Sequence, residues 1–394
     1  MRTPLVSVVV PTHERAHYAV STIRSLLELS DEIEVVVSDS SENDAISPAF
    51  SGVQASARLK ILRPTKKLSV VDNFNFALRS AVGRYVCFIG DDDFVSSELV
   101  TIAKWAERRC VDAIKLTFPA LYFWPDFRHR TAGGEFAGTL RISPFTSRIM
   151  PHDARQAARD ALDNLGAGPL EMPRIYAGLI SSHLIKKITE KHGELFGGVS
   201  PDVYSALLIS MEAEQCVKID FPVVIPGASG ASTAGLSAQG RHVGGLRDNP
   251  HISAFENLEW DPRIPEFYSV QTVWGFSILK AAEKLNLPLS TIGFGRLYFK
   301  CMVFQEGYLA EIWRSILSCV RRESDGVSVL QIISGAVREF FWLVGEVIRR
   351  LRLRLRAQTE VSIQKGLIDS QAASRHLQAV SPKPDWQDEP RGAR

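Results

Sequence analysis

Arg84-Tyr85-Val86-Cys87-Phe88-Ile89-Gly90-Asp91-Asp92-Asp93-Phe94 is a short apolar run that ends in three consecutive aspartates. Gly83 precedes it and Gly90 closes its apolar part. Tyr, Val, Phe and Ile in so short a run suit a strand buried on both faces of an α/β sheet. Adjacent carboxylates at an apolar strand end repel one another unless a cation compensates them. Hard divalent cations with oxygen ligands, Mg²⁺ or Mn²⁺, are the natural partners, and such ions commonly hold a substrate's phosphates as well. In open α/β sheets ligands bind at the carboxyl ends of strands, which is where this triplet falls. The competing reading is a solvated acidic turn capping a helix that starts near Ser96. The position directly behind a buried strand favours the binding site.

Working outward, Leu5-Val6-Ser7-Val8-Val9-Val10 reads as a first strand halted by Pro11, followed by an amphipathic helix carrying Val20, Ile23, Leu26 and Leu27. Residues 34–41 give a second strand ending in Asp39 and hydroxyls, and residues 59–62 a third. Residues 71–78 read as a helix leading to Gly83. Strand and helix in alternation imply a mostly parallel sheet with right-handed crossovers. Neither G-x-G-x-x-G nor G-x-x-x-x-G-K-[ST] is present, so the dinucleotide and P-loop fingerprints are absent. Carboxylates and hydroxyls stand at three successive strand ends instead, with Thr12, Arg15 and Asp39 placed to meet a nucleotide.

The totals narrow the class. The chain has 394 residues, 45% apolar and 23% charged, with a net charge of +2. These are ordinary values for a globular protein, and no global field argues for nucleic acid. The five cysteines are scattered and unpaired in pattern, which fits a reducing compartment. No stretch reaches the ~18 apolar residues of a membrane span, so a cytoplasmic location is expected.

Taken together, Val8-Val9-Val10-Pro11-Thr12-x-x-Arg15, Val37-Ser38-Asp39-Ser40-Ser41 and Asn75-x-Ala77-Leu78-x-x-Ala81-x-Gly83-x-Tyr85-Val86-x-Phe88-Ile89-Gly90-Asp91-Asp92-Asp93 resemble the nucleotide-binding half of family 2 glycosyltransferases. The likeness covers about the first hundred residues. It implies a GT-A fold, a Rossmann-like, mostly parallel sheet flanked by helices, here with a helical C-terminal extension. It also implies inverting, Mg²⁺- or Mn²⁺-dependent transfer of a sugar from a nucleotide-diphosphate donor, UDP-linked. Donor contacts are implied at Pro11, Thr12, Glu14, Arg15, Asp39, Asn73, Asp91 and Asp92, and metal ligation at Asp91 and Asp93 with His242 from a later loop. The family's usual D-x-D-D has Gly90 in its first place here, so the metal register is Asp91/Asp93 or Asp92/Asp93. Its second strand more often ends in Asp-Asp, where this chain has Ser38-Asp39.

An inverting transfer needs one carboxylate to take the acceptor's proton. Asp202, in Gly197-Gly198-Val199-Ser200-Pro201-Asp202, best matches the family's base at a helix start, with Glu212 and Glu214 as runners-up at a solvated helix end. The plain alternative is a helix N-terminus with Ser200 as its cap. Residues 221–226 read as an edge strand, and the small-residue stretch 227–237 as a mobile loop. Beyond it His251 is a weaker metal candidate than His242. Trp260, Phe267, Tyr268, Trp274 and Phe276 suggest helices packed on the core.

Four segments are expected: a catalytic domain at 1–226, a loop and helical subdomain at 227–320, a basic amphipathic helix at 321–358 and a partly disordered tail at 359–394. In the third, Phe340, Val344, Val347, Ile348, Leu351 and Leu355 form one stripe, and Arg349, Arg350, Arg352, Arg354 and Arg356 cluster at one end. Such a helix reads as a peripheral contact with the inner face of a membrane through 327–356, or as docking on the core or in a homodimer. The expected partners are a nucleotide-sugar donor and a saccharide or lipid-linked acceptor, in surface polysaccharide or glycolipid synthesis, without nucleic acid. The rival classes are a non-catalytic nucleotide-sugar or membrane-binding protein on the same fold, and a sugar-phosphate nucleotidyltransferase. The latter wants a glycine-rich loop after strand one, and residues 11–15 contain no glycine.

Overall fold

Val6–Thr12 forms β1 and Ile33–Asp39 forms β2, paired in parallel from Val6 opposite Ile33 to Thr12 opposite Asp39. In the computed structural model, which describes residues 3–52, 58–232, 235, 243–321, 326–355 (backbone alone at 353–355), 361–382, 384 and 386, these strands lie in an eight-stranded sheet. β3 (Leu59–Leu62) flanks β2, and β4 (Tyr85–Phe88) flanks β1, so four parallel strands run in the order β3-β2-β1-β4. β6 (Ala113–Leu116), β9 (Ile149–Pro151), β10 (Leu179–Ser181) and β11 (Cys216–Ile219) complete the order β4-β10-β6-β11-β9, with β10 and β9 antiparallel to their neighbours.

The period of two along β1 divides its valines between two cores. Val8 and Val10 join Ile23, Leu26, Leu99 and Trp105 on one face. That face is covered by α1 (Ala16–Leu29) and α3 (Glu98–Arg108). Val9 joins Phe74, Phe88, Phe196 and Leu207 on the other. Here α2 (Val70–Leu78), α4 (Ala154–Asp163), α5 (Ser182–His192), α6 (Pro201–Glu212) and α7 (Val270–Lys284) supply the cover. Phe267 and Phe276 are buried in this second core, and Trp260 stacks on Phe276 at 4.3 Å, as the aromatic pattern suggested.

One local expectation is corrected. Pro11 lies inside β1 rather than stopping it. Pairing with β4 ends at Val9, so beyond that point β1 is an edge on that side, where proline's missing N–H is tolerated. Within residues 221–226, Val224–Ile225 (β12) form the expected edge strand, paired on one side with Phe94–Val95 (β5) in a two-stranded antiparallel sheet and fully buried. The aromatic region after residue 119, which shows no period, builds a second sheet. There β7 (Ala120–Phe123) and β8 (Thr139–Ile142) stand between β13 (Gly227–Ala228) and β14 (Ser362–Gln364). Three further helices follow α7: α8 (Phe294–Phe304), α9 (Leu309–Arg321) and α10 (Val329–Leu355). α11 (Ser370–Val380) then returns to α1, where Ser370 Oγ meets Ser21 Oγ at 2.9 Å. The described part of the tail thus folds onto the amino-terminal half.

Candidate active site

Behind β4 the chain turns at Gly90, and Asp91, Asp92 and Asp93 are buried, each about 5% exposed or less. This is not a solvated turn. The side chain of Thr22 reaches up from α1 and donates to the Asp91 and Asp93 carbonyls at 2.9 and 2.8 Å. Trp124 Nε1 donates to the Asp92 carbonyl at 2.8 Å. The turn's backbone is therefore fixed independently of its carboxylates.

Compensation comes first from within the chain. Arg15 sits at the start of α1, where the helix dipole disfavours a cation. It is held there by Asp91 at 3.0 Å and Asp92 at 2.9 Å. Thr12 Oγ1 donates to Asp91 Oδ2 at 2.6 Å. Asp93 accepts from two backbone amides, Gly90 N on Oδ2 and Gly227 N on Oδ1, both at 2.7 Å. Among the described residues one guanidinium faces three buried carboxylates, which it does not balance. Desolvation, together with the neighbouring aspartates, raises the Asp91 and Asp93 carboxyls to about 7.

Segment 227–232 is seated directly on the triplet rather than held away as an open loop. Ser229 donates through N and Oγ to Asp92 Oδ2 at 3.2 and 2.7 Å, and Arg15 reaches Ser229 Oγ at 2.8 Å. A β-carbon on Gly227 would stand 1.8 Å from the Asp92 carbonyl oxygen, so only glycine permits this contact. Arg241 and the expected ligand His242, beyond this loop, lie outside the described residues.

Two carboxylate oxygens and a phenol converge in front of Gly90. The β-carbon position there lies 3.1 Å from both Asp92 Oδ1 and Asp93 Oδ2, and 2.7 Å from the Tyr176 hydroxyl. Tyr176 also donates to Asp93 Oδ2 at 3.4 Å. Burial, then the charges of Asp93, Asp92, Asp91 and Asp202, hold its phenol well above the ordinary range. One hydroxyl therefore feels both the triplet and Asp202. No motif marked Tyr176, which an isolated bridge joins to the motif strand at Phe88.

Asp202 lies half-buried in the first turn of α6, and its Oδ1 accepts from Ser200 Oγ at 2.6 Å. Ser200 occupies the cap position, yet its hydroxyl orients Asp202 instead of capping an amide. His251, half-buried nearby, bonds the Val199 carbonyl at 2.7 Å and is held below its ordinary pKa by desolvation. Glu212 is no solvated helix end. It is 7% exposed and, against the desolvation, is kept ionised by Lys191 and His192. Glu214 is exposed and paired with Lys187.

The remaining expected donor contacts are tied to the protein. Asp39 is buried and pairs with Arg63 at 2.7 Å. Asn73 accepts from Ser38 Oγ at 2.6 Å, joining α2 to β2. Glu14, in the left-handed region at φ 55°, receives Glu42 N on Oε1 and donates its own N–H to Ser41 Oγ. A cavity of about 390 Å³, lined by Asn75, Arg79, Lys186 and Glu194 among others, contains none of these groups.

Among the described residues no three His, Cys, Asp or Glu side chains converge on one point. A hard cation held by one or two carboxylates plus a substrate's phosphates needs no such cage. Asp92 Oδ1 and Asp93 Oδ2, facing one space with charge to neutralise, fit that mode.

Residues 7–161 match the family model described as Glycosyl transferase family 2. No curated protein sequence matches the chain significantly. Among solved structures it is similar to S. aureus TarS 1-349 in complex with UDP-GlcNAc, at 16% identity and TM-score 0.49 over 92% of this chain and 97% of that one. It is also similar to the longer S. aureus TarS chain, of which it spans 37%, at 17% identity and TM-score 0.37 over 57% of its own length. The mannosyltransferase PcManGT from Pyrobaculum calidifontis, in complex with GDP-Man and Mn²⁺, is similar at 16% identity and TM-score 0.40, over 86% of this chain and 88% of that one. Residues 7–161 thus form a glycosyl transferase family 2 region, and that region marks the chain as a glycosyltransferase.

Proposed function

We propose that this glycosyltransferase moves a sugar, with inversion, from a UDP-linked donor to a hydroxyl of a saccharide or lipid-linked acceptor, with Mg²⁺ or Mn²⁺ at the aspartate triplet. The observation that carries the reading is the burial of three carboxylates against, among the described residues, a single guanidinium, with the charge of Asp202 felt by the same Tyr176 hydroxyl that bonds Asp93. Asp92 and Asp93 hold the ion, while Asp91 anchors Arg15. When bound, the ion neutralises charge on the leaving diphosphate.

Asp202, oriented by Ser200, takes the acceptor's proton as its oxygen bonds to the anomeric carbon. The bond from that carbon to the diphosphate oxygen breaks, and UDP leaves with the electron pair. Asp39 and Thr12, side by side at adjacent strand ends, border the place of the nucleoside. UDP follows from the family resemblance, as does surface polysaccharide or glycolipid synthesis as the setting.

Calorimetric titration of UDP and GDP into the protein, with and without Mn²⁺ and repeated on Asp93→Ala, tests the reading. UDP binding that requires Mn²⁺ and disappears in the variant is expected. If neither nucleotide binds with or without Mn²⁺, the reading is overturned.

A further inference from the structure

α10 is packed along one side only. Ile332 and Glu339 turn toward α8, where Arg296 Nε and Lys300 Nζ meet the fully buried Glu339 carboxylate at 2.7 and 3.0 Å. At 100° per residue, Leu330, Ile333, Val337, Val344, Ile348 and Leu351 fall within an arc of about 60°, roughly 140° around the helix from that contact. All six are exposed, Leu330 at 77%, and Phe341 beside them is 66% exposed. The stripe therefore runs unbroken down a helix of 27 residues and faces away from the body.

The charge around this stripe selects its occupant. Residues 329–355 contain Arg338, Arg349, Arg350, Arg352 and Arg354 against only Glu339 and Glu346. Glu339 is held by α8, and Glu346 is bonded by Arg349 and Arg350 at 2.6 and 2.8 Å. The first turn of the helix carries no acidic residue. A second copy thus offers the arginines no free carboxylate on this helix, whether the two helices run parallel or antiparallel. Phe341, which borders the stripe, is apolar where a paired coil would carry a charge. Among the described residues no helix is long and apolar enough to cross a membrane. Arg338 is paired with Asp163, and Arg349 and Arg350 with Glu346. The arginines of this helix still outnumber its carboxylates five to two, and an exposed apolar stripe beside that excess positive charge suits a surface of anionic headgroups.

We propose that Val329–Leu355 lies flat on an anionic lipid surface, with its apolar stripe at the headgroup–acyl boundary and its arginines on the headgroups. This docking does not depend on the donor chemistry. Co-sedimentation of the full chain with vesicles of equal parts phosphatidylglycerol and phosphatidylcholine, and with phosphatidylcholine alone, measures it directly.

Binding to the mixed vesicles that weakens with salt is expected, with about a fivefold loss for each of Arg349→Gln and Arg352→Gln. Phe341→Glu with Leu351→Glu should abolish it. Both are exposed helix positions, and circular dichroism will report whether the fold is kept. The proposal is overturned if the wild type stays in the supernatant with mixed vesicles, or if the arginine and glutamate variants bind as it does. A wild-type dimer split by Leu351→Glu, without vesicle binding, would instead assign the face to a second copy.

Discussion

The Tyr176 hydroxyl stands 2.7 Å from the place a β-carbon on residue 90 would take, so the tyrosine fills the space left by the glycine. The family pattern has aspartate at this position. Here a side chain would strike the phenol and two carboxylate oxygens at once. The departure at Gly90 is matched by a residue 86 positions later in the chain, whose hydroxyl bonds the same Asp93. Gly90→Ala should cost about 1–3 kcal/mol through overpacking. Adding Tyr176→Phe should restore most of the loss, because the displaced atom is then gone. Denaturant melts of the two single variants and the double variant measure this coupling; additive losses would refute it.

Asp202→Asn should separate chemistry from binding. Asparagine keeps the size and can still accept from Ser200, but it cannot take a proton from an acceptor. Turnover should fall about 10²- to 10⁴-fold. Mn²⁺-dependent UDP binding, measured by calorimetry, should stay within a factor of two or so of wild type. Loss of UDP affinity in this variant would count against the assigned role.

Arg15→Gln leaves Asp91 and Asp92 buried without their guanidinium. Removing one partner of a buried ion pair costs about 3–5 kcal/mol. Arg15 retains 19% side-chain exposure, so the lower end of that range is expected. Saturating Mn²⁺ should recover part of the loss, since a second cation then answers the same charge. Thermal melts with and without the ion test this, and equal destabilisation in both would exclude a cation site at the triplet.

His251 sets a pH dependence whose sign follows from its burial. Desolvation holds its folded-state pKa below the ordinary value, so the unfolded chain binds more protons as the medium acidifies. Its contribution is complete above about pH 6.5 and is lost as pH falls from there toward the lowered pKa. His251→Gln retains a donor toward the Val199 carbonyl and removes the titration. The difference in melting temperature between pH 7.5 and 5.5 should shrink in this variant; an unchanged difference would place the titration elsewhere.

Local pattern was enough to read the strands that carry the site. Apolar runs bounded by glycines, and helices with a period near 3.6, determined β1 to β4 with α1 and α2, because each buries its own contiguous stripe. The triplet's position at a strand end was legible for the same reason, and so was Asp202 at a helix start. Arg15 was read as a nucleotide contact, and the fold adds a role not read from the sequence, as the counter-ion of Asp91 and Asp92. Charge compensation depends on which cation lies within reach in space, which sequence spacing does not encode.

What the sequence by itself determined, then, is the parallel half of the sheet, the carboxylates at its edge and the apolar face of the helix at 329–355, all products of patterns a few residues long. The tertiary structure alone decided that Ser229 and Gly227 would cover those carboxylates, that Tyr176 would take the room left by Gly90, and that β14 and α11 would return to the amino-terminal half. Each of these joins segments far apart in the chain through a close steric fit or a single hydrogen bond. Such contacts leave no periodic trace in the residues that make them.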